Sequence, residues 1–252
     1  MRNNRIRIKS PDDIKRIRDA GIIIADIFKK LSRISLAGLS TWEIDMMIDS
    51  MIIKKKGRAA FKTVPGYSAA SCISVNDEVV HGIPSKKRKI RTGDLVKIDI
   101  GVVLNGYFGD ACRTFSAGKV SDNARRLAEA TRRSLEKAIE VMTPGNRIGD
   151  IGHAIQEYAE SCGYTVVRNY TGHGVGFALH EPPVVPHYGK KKTGIILEPG
   201  MVLAVEPMIN EGGYAVRLLD DGWTAVTADG SLSAHFEHTI AVTDSGPVIL
   251  TA

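Results

Sequence analysis

Apolar positions along the chain change their period in the same way twice, and the changes divide it into two similar halves. Ile14, Ile17, Ile24, Ile27, Phe28 and Leu31 recur at helical spacing, which predicts a helix with one buried face. Ser10, Pro11, Asp12 and Asp13 supply its start: a capping side chain, proline at the first helical position and acids in the first turn. A second helix is expected from Ser40 or Thr41, with Ile44, Ile48, Met51 and Ile52 turned inward and Gly57 as its end. The period then shortens. Residues 95–103 are rich in Val and Ile, and residues 107–115 follow the turn-forming pair Asn105-Gly106, the pattern of a β-hairpin.

The second half repeats this plan, with helices expected over 123–141 and 147–162 and strands around Val166, 201–205 and 236–242. Gly38, Ile44, Ile48 and Gly57 are matched by Gly145, Ile151, Ile155 and Gly163 at nearly the same spacings. The strands match better. TGDLVKID ends at Asp99 and PGMVLAVE ends at Glu206, and each acid stands six residues after a glycine. Chance likeness explains the helices alone as well as duplication does; the coincidence of the two carboxylates favours duplication. Two related halves, at about 10–115 and 120–250, would bring Asp99 and Glu206 to equivalent places in one shared site. The whole chain, 1–252, is read as a single catalytic domain.

Asp99 lies within VKIDIGVV, Asp110 on the returning strand of the same hairpin, Glu206 within MVLAVEPM and Glu237 within AHFEHTIAV. An ionised carboxylate in an apolar strand costs several kcal/mol unless a cation or a set of donors compensates it. Any one of these acids is better explained by an ion pair or a hydrogen-bonded carboxylate. All four together are not. Four carboxylates balance two divalent cations, whereas one cation would leave the cluster with two uncompensated charges, so convergence of the four implies a two-metal site. His173, in TGHGVGFALHEPP, supplies a nitrogen ligand, with flanking glycines that permit close approach. One histidine among oxygens points to Mn, Fe or Co, with Zn also compatible, and away from a structural Cys/His site. His81 in NDEVVHGIP and His180 in ALHEPP stand in Gly- and Pro-rich loops beside these segments and are candidates for substrate contact.

Composition narrows the setting. The chain has 252 residues, 43% hydrophobic and 25% charged, enough for a sizeable core. Cys72, Cys112 and Cys162 are odd in number and far apart, which excludes a disulfide framework or a CxxC clip and suits a reducing compartment. The amino end carries no apolar core of signal-peptide length and no stretch approaches a membrane span, so a cytoplasmic protein that touches no membrane is expected. The net charge of +6 gathers in runs: Arg2, Arg5, Arg7 and Lys9; Lys54, Lys55, Lys56 and Arg58; Lys86, Lys87, Arg88, Lys89 and Arg91; Lys190, Lys191 and Lys192. Solvated lysine is the favoured reading, an electrostatic contact with the ribosome surface the alternative.

SVNDEVVHGIP, VKIDIGV, GYFGDACRTF, TGHGVGFALHEPP, VLAVEPM and DGSLSAHFEHTIAV together resemble the signatures of type I methionine aminopeptidase, in that family's order, from about Ile8 to Leu250. The resemblance implies an α+β pita-bread fold, two pseudo-symmetric helix-helix-strand halves around a curved antiparallel sheet. It also implies an enzyme that removes the first methionine from peptides and nascent chains with two divalent ions, Co, Mn, Fe or Zn. Carried over by position, Asp99, Asp110, His173, Glu206 and Glu237 would be the ligands, with Asp110 and Glu237 bridging. His81 and His180 would contact the scissile region, and Glu206 would double as proton shuttle. The methionine slot would be formed by Phe61, Tyr67, Cys72, Leu179 and Trp223. Val64 and Pro65 stand where an aromatic and a histidine often occur, and Leu179 replaces a common phenylalanine.

Three rivals are weighed against this. A proline-specific peptidase of the same fold usually carries a large domain ahead of the first ligand, and fewer than a hundred residues precede Asp99. Type II methionine enzymes carry a long insertion between the last two glutamates, which here are 31 residues apart. A catalytically dead RNA-binding relative would not need all five ligands. A monomer is expected.

Overall fold

In the computed structural model, which describes residues 5–252, the chain forms helices α1 (Pro11–Leu31), α2 (Thr41–Lys54), α3 (Asp122–Glu140) and α4 (Ile148–Ser161) and a set of antiparallel strands. Arg2 of the first basic run lies outside the described residues. The capping chemistry read from the sequence is formed. Ser10 Oγ accepts from the Asp13 amide while the Asp13 carboxylate accepts from the Ser10 amide at 2.9 Å, and Ser40 and Glu43 do the same for α2 at 2.7 Å.

The hairpin of the first half runs Leu95–Leu104 and Tyr107–Ser116, in register from Leu95 opposite Ser116 to Leu104 opposite Tyr107. Cys72–Val75 and Arg58–Ala59 add to Leu95–Leu104, and α1 and α2 cover the sheet with Ile24, Phe28, Ile44, Ile48 and Ile52. In the second half, Val202–Val205 and His238–Thr243 form the centre of a five-stranded sheet that continues through Gly172–Gly174 to Glu181–Val185. Helices α3 and α4 cover it with Leu127, Leu135, Ile151 and Ile155. Each fully buried aliphatic side chain contributes roughly 1.5–3 kcal/mol, so these two clusters are what hold the halves as units.

The repeat is real in three dimensions, with one correction. Helices α2 and α4 have 14 residues each, and Gly38 and Gly145 precede them with the same left-handed backbone, at φ 93° and 91°. Gly57, however, is not the end of α2. The left-handed residue after that helix is Lys56, at φ 61°, and Gly163, at φ 84°, holds the corresponding place after α4. Gly57 is a packing glycine instead: a Cβ there would meet Val102 at 3.1 Å and Ile52 at 3.2 Å.

The halves are stitched along one seam. Thr239 Oγ1 accepts from the Asp110 amide at 3.0 Å and donates to the Asp110 carbonyl at 2.7 Å. Thr114 Oγ1 treats the backbone of His235 in the same way, at 3.0 and 2.7 Å, and the Glu237 amide donates to the Cys112 carbonyl at 2.9 Å. The returning strand of the first half is thus fixed against the segment of the second half that bears Glu237. This contact places the site.

Candidate metal centre and its pocket

Asp99 and Asp110 come from the two strands of the first hairpin, where Asp99 pairs with Cys112 on one side and Cys72 on the other. Glu206 follows directly after Val202–Val205, and Glu237 occupies the break between Ser233–His235 and His238–Thr243, so both sit just outside the regular strands in which the sequence placed them. His173 is the central residue of Gly172–Gly174. Its Nδ1 lies 2.9 Å from the Gly174 carbonyl, which turns Nε2 toward the acids, 3.4 Å from Glu206 and 3.9 Å from Asp110. The glycines beside it are required, because a Cβ on Gly172 would lie 2.3 Å from the Ala204 carbonyl oxygen and one on Gly174 would lie 2.3 Å from that of Pro182.

Asp110, His173 and Glu237 each offer an atom within 4.8 Å of the others. All five predicted ligands line one cavity of about 280 Å³. Burial pushes the Asp110 carboxyl up to about 7 and drives those of Asp99, Glu206 and Glu237 far above the usual carboxylate range, with their mutual repulsion adding to the effect for Asp99, Glu206 and Glu237. The same burial pushes the His173 imidazole down to about 3. Asp99 Oδ1, Asp110 Oδ1 and Glu237 Oε1 are buried and have no hydrogen-bond partner among the described residues. Orphaned buried carboxylate oxygens are rare because each forfeits its solvation. Oxygen atoms aimed inward beside one imidazole nitrogen suit divalent cations, which would supply the missing partners and restore ionisation. The donor set fits a metal.

The other predicted residues are mostly brought to the same cavity. His81, at φ 60°, packs edge-on to Tyr170 with ring centroids 5.3 Å apart, and burial pushes it down to about 4. His180 stands at the exposed mouth, its ring 4.5 Å from that of His173. Phe61, Tyr67, Cys72 and Trp223 line the cavity, with Tyr67 edge-on to Trp223 at 5.1 Å. Leu179 does not line it; it packs behind the wall with Phe61, Tyr67 and Cys72. Asp45 of α2 braces that wall from below, accepting from the amides of Ala70 and Ser71 and from Ser71 Oγ at 2.7–3.0 Å. The thiols of Cys72 and Cys112 are raised by burial and by Asp99, which favours their neutral form.

Sequence reasoning missed several residues. Val80, at the end of the short strand Glu78–Val80, and Asn169, Tyr170 and Thr171, from a loop whose path no periodicity encodes, line the cavity as well. His235 is fully buried, with Nε2 3.8 Å from Glu206 and no hydrogen-bond partner among the described residues. Its position two residues before Glu237 was the available signal. The solvated-lysine reading of the first basic run fails at Lys9, whose Nζ is buried and bonded to Glu181 at 2.7 Å; Arg7 bonds to the same carboxylate at 2.5 Å. That pair ties the amino-terminal segment to the loop of His180, since Glu181 also accepts from the amides of Phe177 and Ala178.

Comparison with known proteins agrees with this geometry. Residues 15–244 match the model of metallopeptidase family M24. The methionine aminopeptidase of Clostridium acetobutylicum is 46% identical over 246 residues, 98% of each chain. Methionine aminopeptidase 1 of Bacillus subtilis is 46% identical over 96% of this chain and 98% of its own. The crystal structure of methionine aminopeptidase from Thermotoga maritima superposes with a TM-score of 0.96 at 45% identity, covering 98% of this chain and 99% of that one. Prolidase from Pyrococcus furiosus, at 23% identity and a TM-score of 0.76, shares the fold over 97% of this chain and 65% of its own. The architecture is therefore the pita-bread fold that the resemblance implied, and the chain belongs to metallopeptidase family M24, among its methionine aminopeptidases.

Proposed function

We propose that the chain removes methionine from the free amino end of peptides and nascent proteins by metal-dependent hydrolysis of the first peptide bond. The observation that carries this reading is the set of orphaned carboxylate oxygens gathered with His173 at the wall of a cavity that also bears Phe61, Tyr67 and Trp223. Asp99, Asp110, His173, Glu206 and Glu237 would hold two divalent ions. When bound, the ions supply Lewis acidity and an acidified water. Their identity among Co, Mn, Fe and Zn is set by the one-nitrogen, oxygen-rich donor set only as a class.

The protein's own groups do the rest. Glu206, ionised when the cations are bound, would accept a proton from the attacking water and deliver it to the leaving nitrogen. His81 and His180 flank the scissile carbonyl; burial lowers the His81 imidazole to about 4 and so keeps it neutral, and either ring can donate one N–H as negative charge develops on oxygen. Phe61, Tyr67, Cys72 and Trp223 form the apolar slot for the methionine side chain, and Leu179 supports its wall. Among the described residues no helix is long and apolar enough to cross a membrane, and Cys72, Cys112 and Cys162 are free.

The test is a digest of Met-Ala-Ser, Leu-Ala-Ser and Lys-Ala-Ser with and without exhaustive chelation. Methionine alone should be released, release should stop with chelator, and Mn, Fe or Co should restore it. Full activity in chelator, or equal release of leucine and lysine, would overturn the reading.

A further inference from the structure

The strands that carry His173 and Glu206 part beside the metal centre, and a buried imidazole fills the fork. Gly172–Gly174 pairs with Val202–Val205 through His173 opposite Ala204 and Gly174 opposite Leu203, and the ladder goes no further toward Glu206. Beyond it the amides of Gly172 and Glu206 both donate to one atom, Nε2 of His187, at 3.1 and 3.4 Å. His187 follows the neighbouring strand Glu181–Val185 and is wholly inaccessible to solvent. Closer approach of the two strands cannot replace it, because the Gly172 backbone already has no room for a Cβ against Ala204. Without an acceptor at this point two buried amides would go unpaired, each at roughly 1–3 kcal/mol.

We propose that His187 is a positioning residue of the metal centre: its Nε2 fixes the Gly172 and Glu206 amides relative to each other and so holds the side chains of His173 and Glu206 in ligating register, 3.4 Å apart. The inference rests on the metal-centre reading above. His187 is not itself a ligand through Nε2, since that lone pair faces the two amides. It acts one bond further out, on the backbone from which two ligands project, where loss of an orienting group typically weakens metal affinity 10- to 100-fold.

The experiment compares His187→Leu, which removes the acceptor, with His187→Gln, whose amide oxygen reaches the same place. Mn²⁺ is titrated calorimetrically into each metal-free protein, kcat and KM are measured on Met-Ala-Ser, and through-hydrogen-bond N–N couplings from His187 Nε2 to the Gly172 and Glu206 amides are recorded in the metal-free parent. The couplings should be present. The Leu variant should lose about 10- to 100-fold in Mn²⁺ affinity and in kcat with KM changed less than about threefold, and the Gln variant should recover to within about threefold of the parent. A folded Leu variant with parental affinity and kcat overturns the proposal, as does a folded Gln variant no better than Leu. If the Leu variant does not fold, absent couplings or a more than tenfold weaker Gln variant overturn it. A parent that takes up no Mn²⁺ counts against the metal centre itself, not against these hydrogen bonds.

Discussion

At Asp110 the conflict between ligation and stability falls on a single carboxyl. Burial raises it to about 7, so the folded protein binds that proton more tightly than the unfolded chain does. Without metal, the ionised carboxylate therefore destabilises the fold above pH 7, and the penalty is relieved as pH falls through about 7 toward the unfolded value near 4. In chelator, Asp110→Asn should be more stable than the parent at pH 8 by a few kcal/mol, on the order of 1.4 kcal/mol per pH unit of separation. The advantage should shrink as pH falls. Urea denaturation of both proteins at pH 8, 6 and 4.5 measures it, and a gap that ignores pH would contradict the account. In metal-containing buffer the order should reverse, because the same substitution removes a ligand.

Among the elements, α2 shows why two adjacent residues at one helix end do different work. Lys56 takes the left-handed backbone, which costs an L-residue roughly 1–2 kcal/mol, while Gly57 makes room for Val102 and Ile52. Lys56→Gly should therefore stabilise by up to about 1 kcal/mol. Gly57→Val should destabilise by about 1–3 kcal/mol through overpacking. Thermal unfolding distinguishes them, and shifts of the same sign for both would refute this division of roles. The hairpin turn carries no such division: Asn105 and Gly106, at φ 51° and 84°, both hold the left-handed backbone of a tight two-residue turn, and that turn sets the register that puts Asp99 and Asp110 on neighbouring strands.

For the molecule as a whole, a site assembled across the seam links metal binding to the joining of the halves. Ions that bind only the assembled state should raise stability by about 2.7 kcal/mol at a hundredfold excess over Kd. Mn²⁺ titrated into chelator-treated protein should move Tm upward continuously, and an unmoved Tm with bound metal would mean that the ions bind the unfolded chain as tightly as the assembled site. The basic runs at 54–58, 86–91 and 190–192 are exposed, as solvated lysine requires; an electrostatic ribosome contact would have to use them, because Lys9 is buried in its pair with Glu181. Co-sedimentation with ribosomes should weaken steeply with salt, and binding that salt leaves unchanged would exclude that contact.

Periodicity, capping residues and the turn pair were enough to locate the four helices and the hairpin, since each depends on neighbours within a few positions. The likeness of the two halves was legible too, because the carboxylates Asp99 and Glu206 keep their spacing from Gly93 and Gly200. With the resemblance added, the ligand set could be named. Tertiary structure alone decided what depends on residues distant in the chain: that Glu206 and Glu237 sit at strand breaks, that Leu179 stands behind the pocket wall, that Lys9 is buried, and that His187 and His235 pack against Glu206 from behind the cavity. A side chain's periodicity reports which face of its own element is covered. What covers it is fixed by the seam between the halves, and no local pattern encodes that.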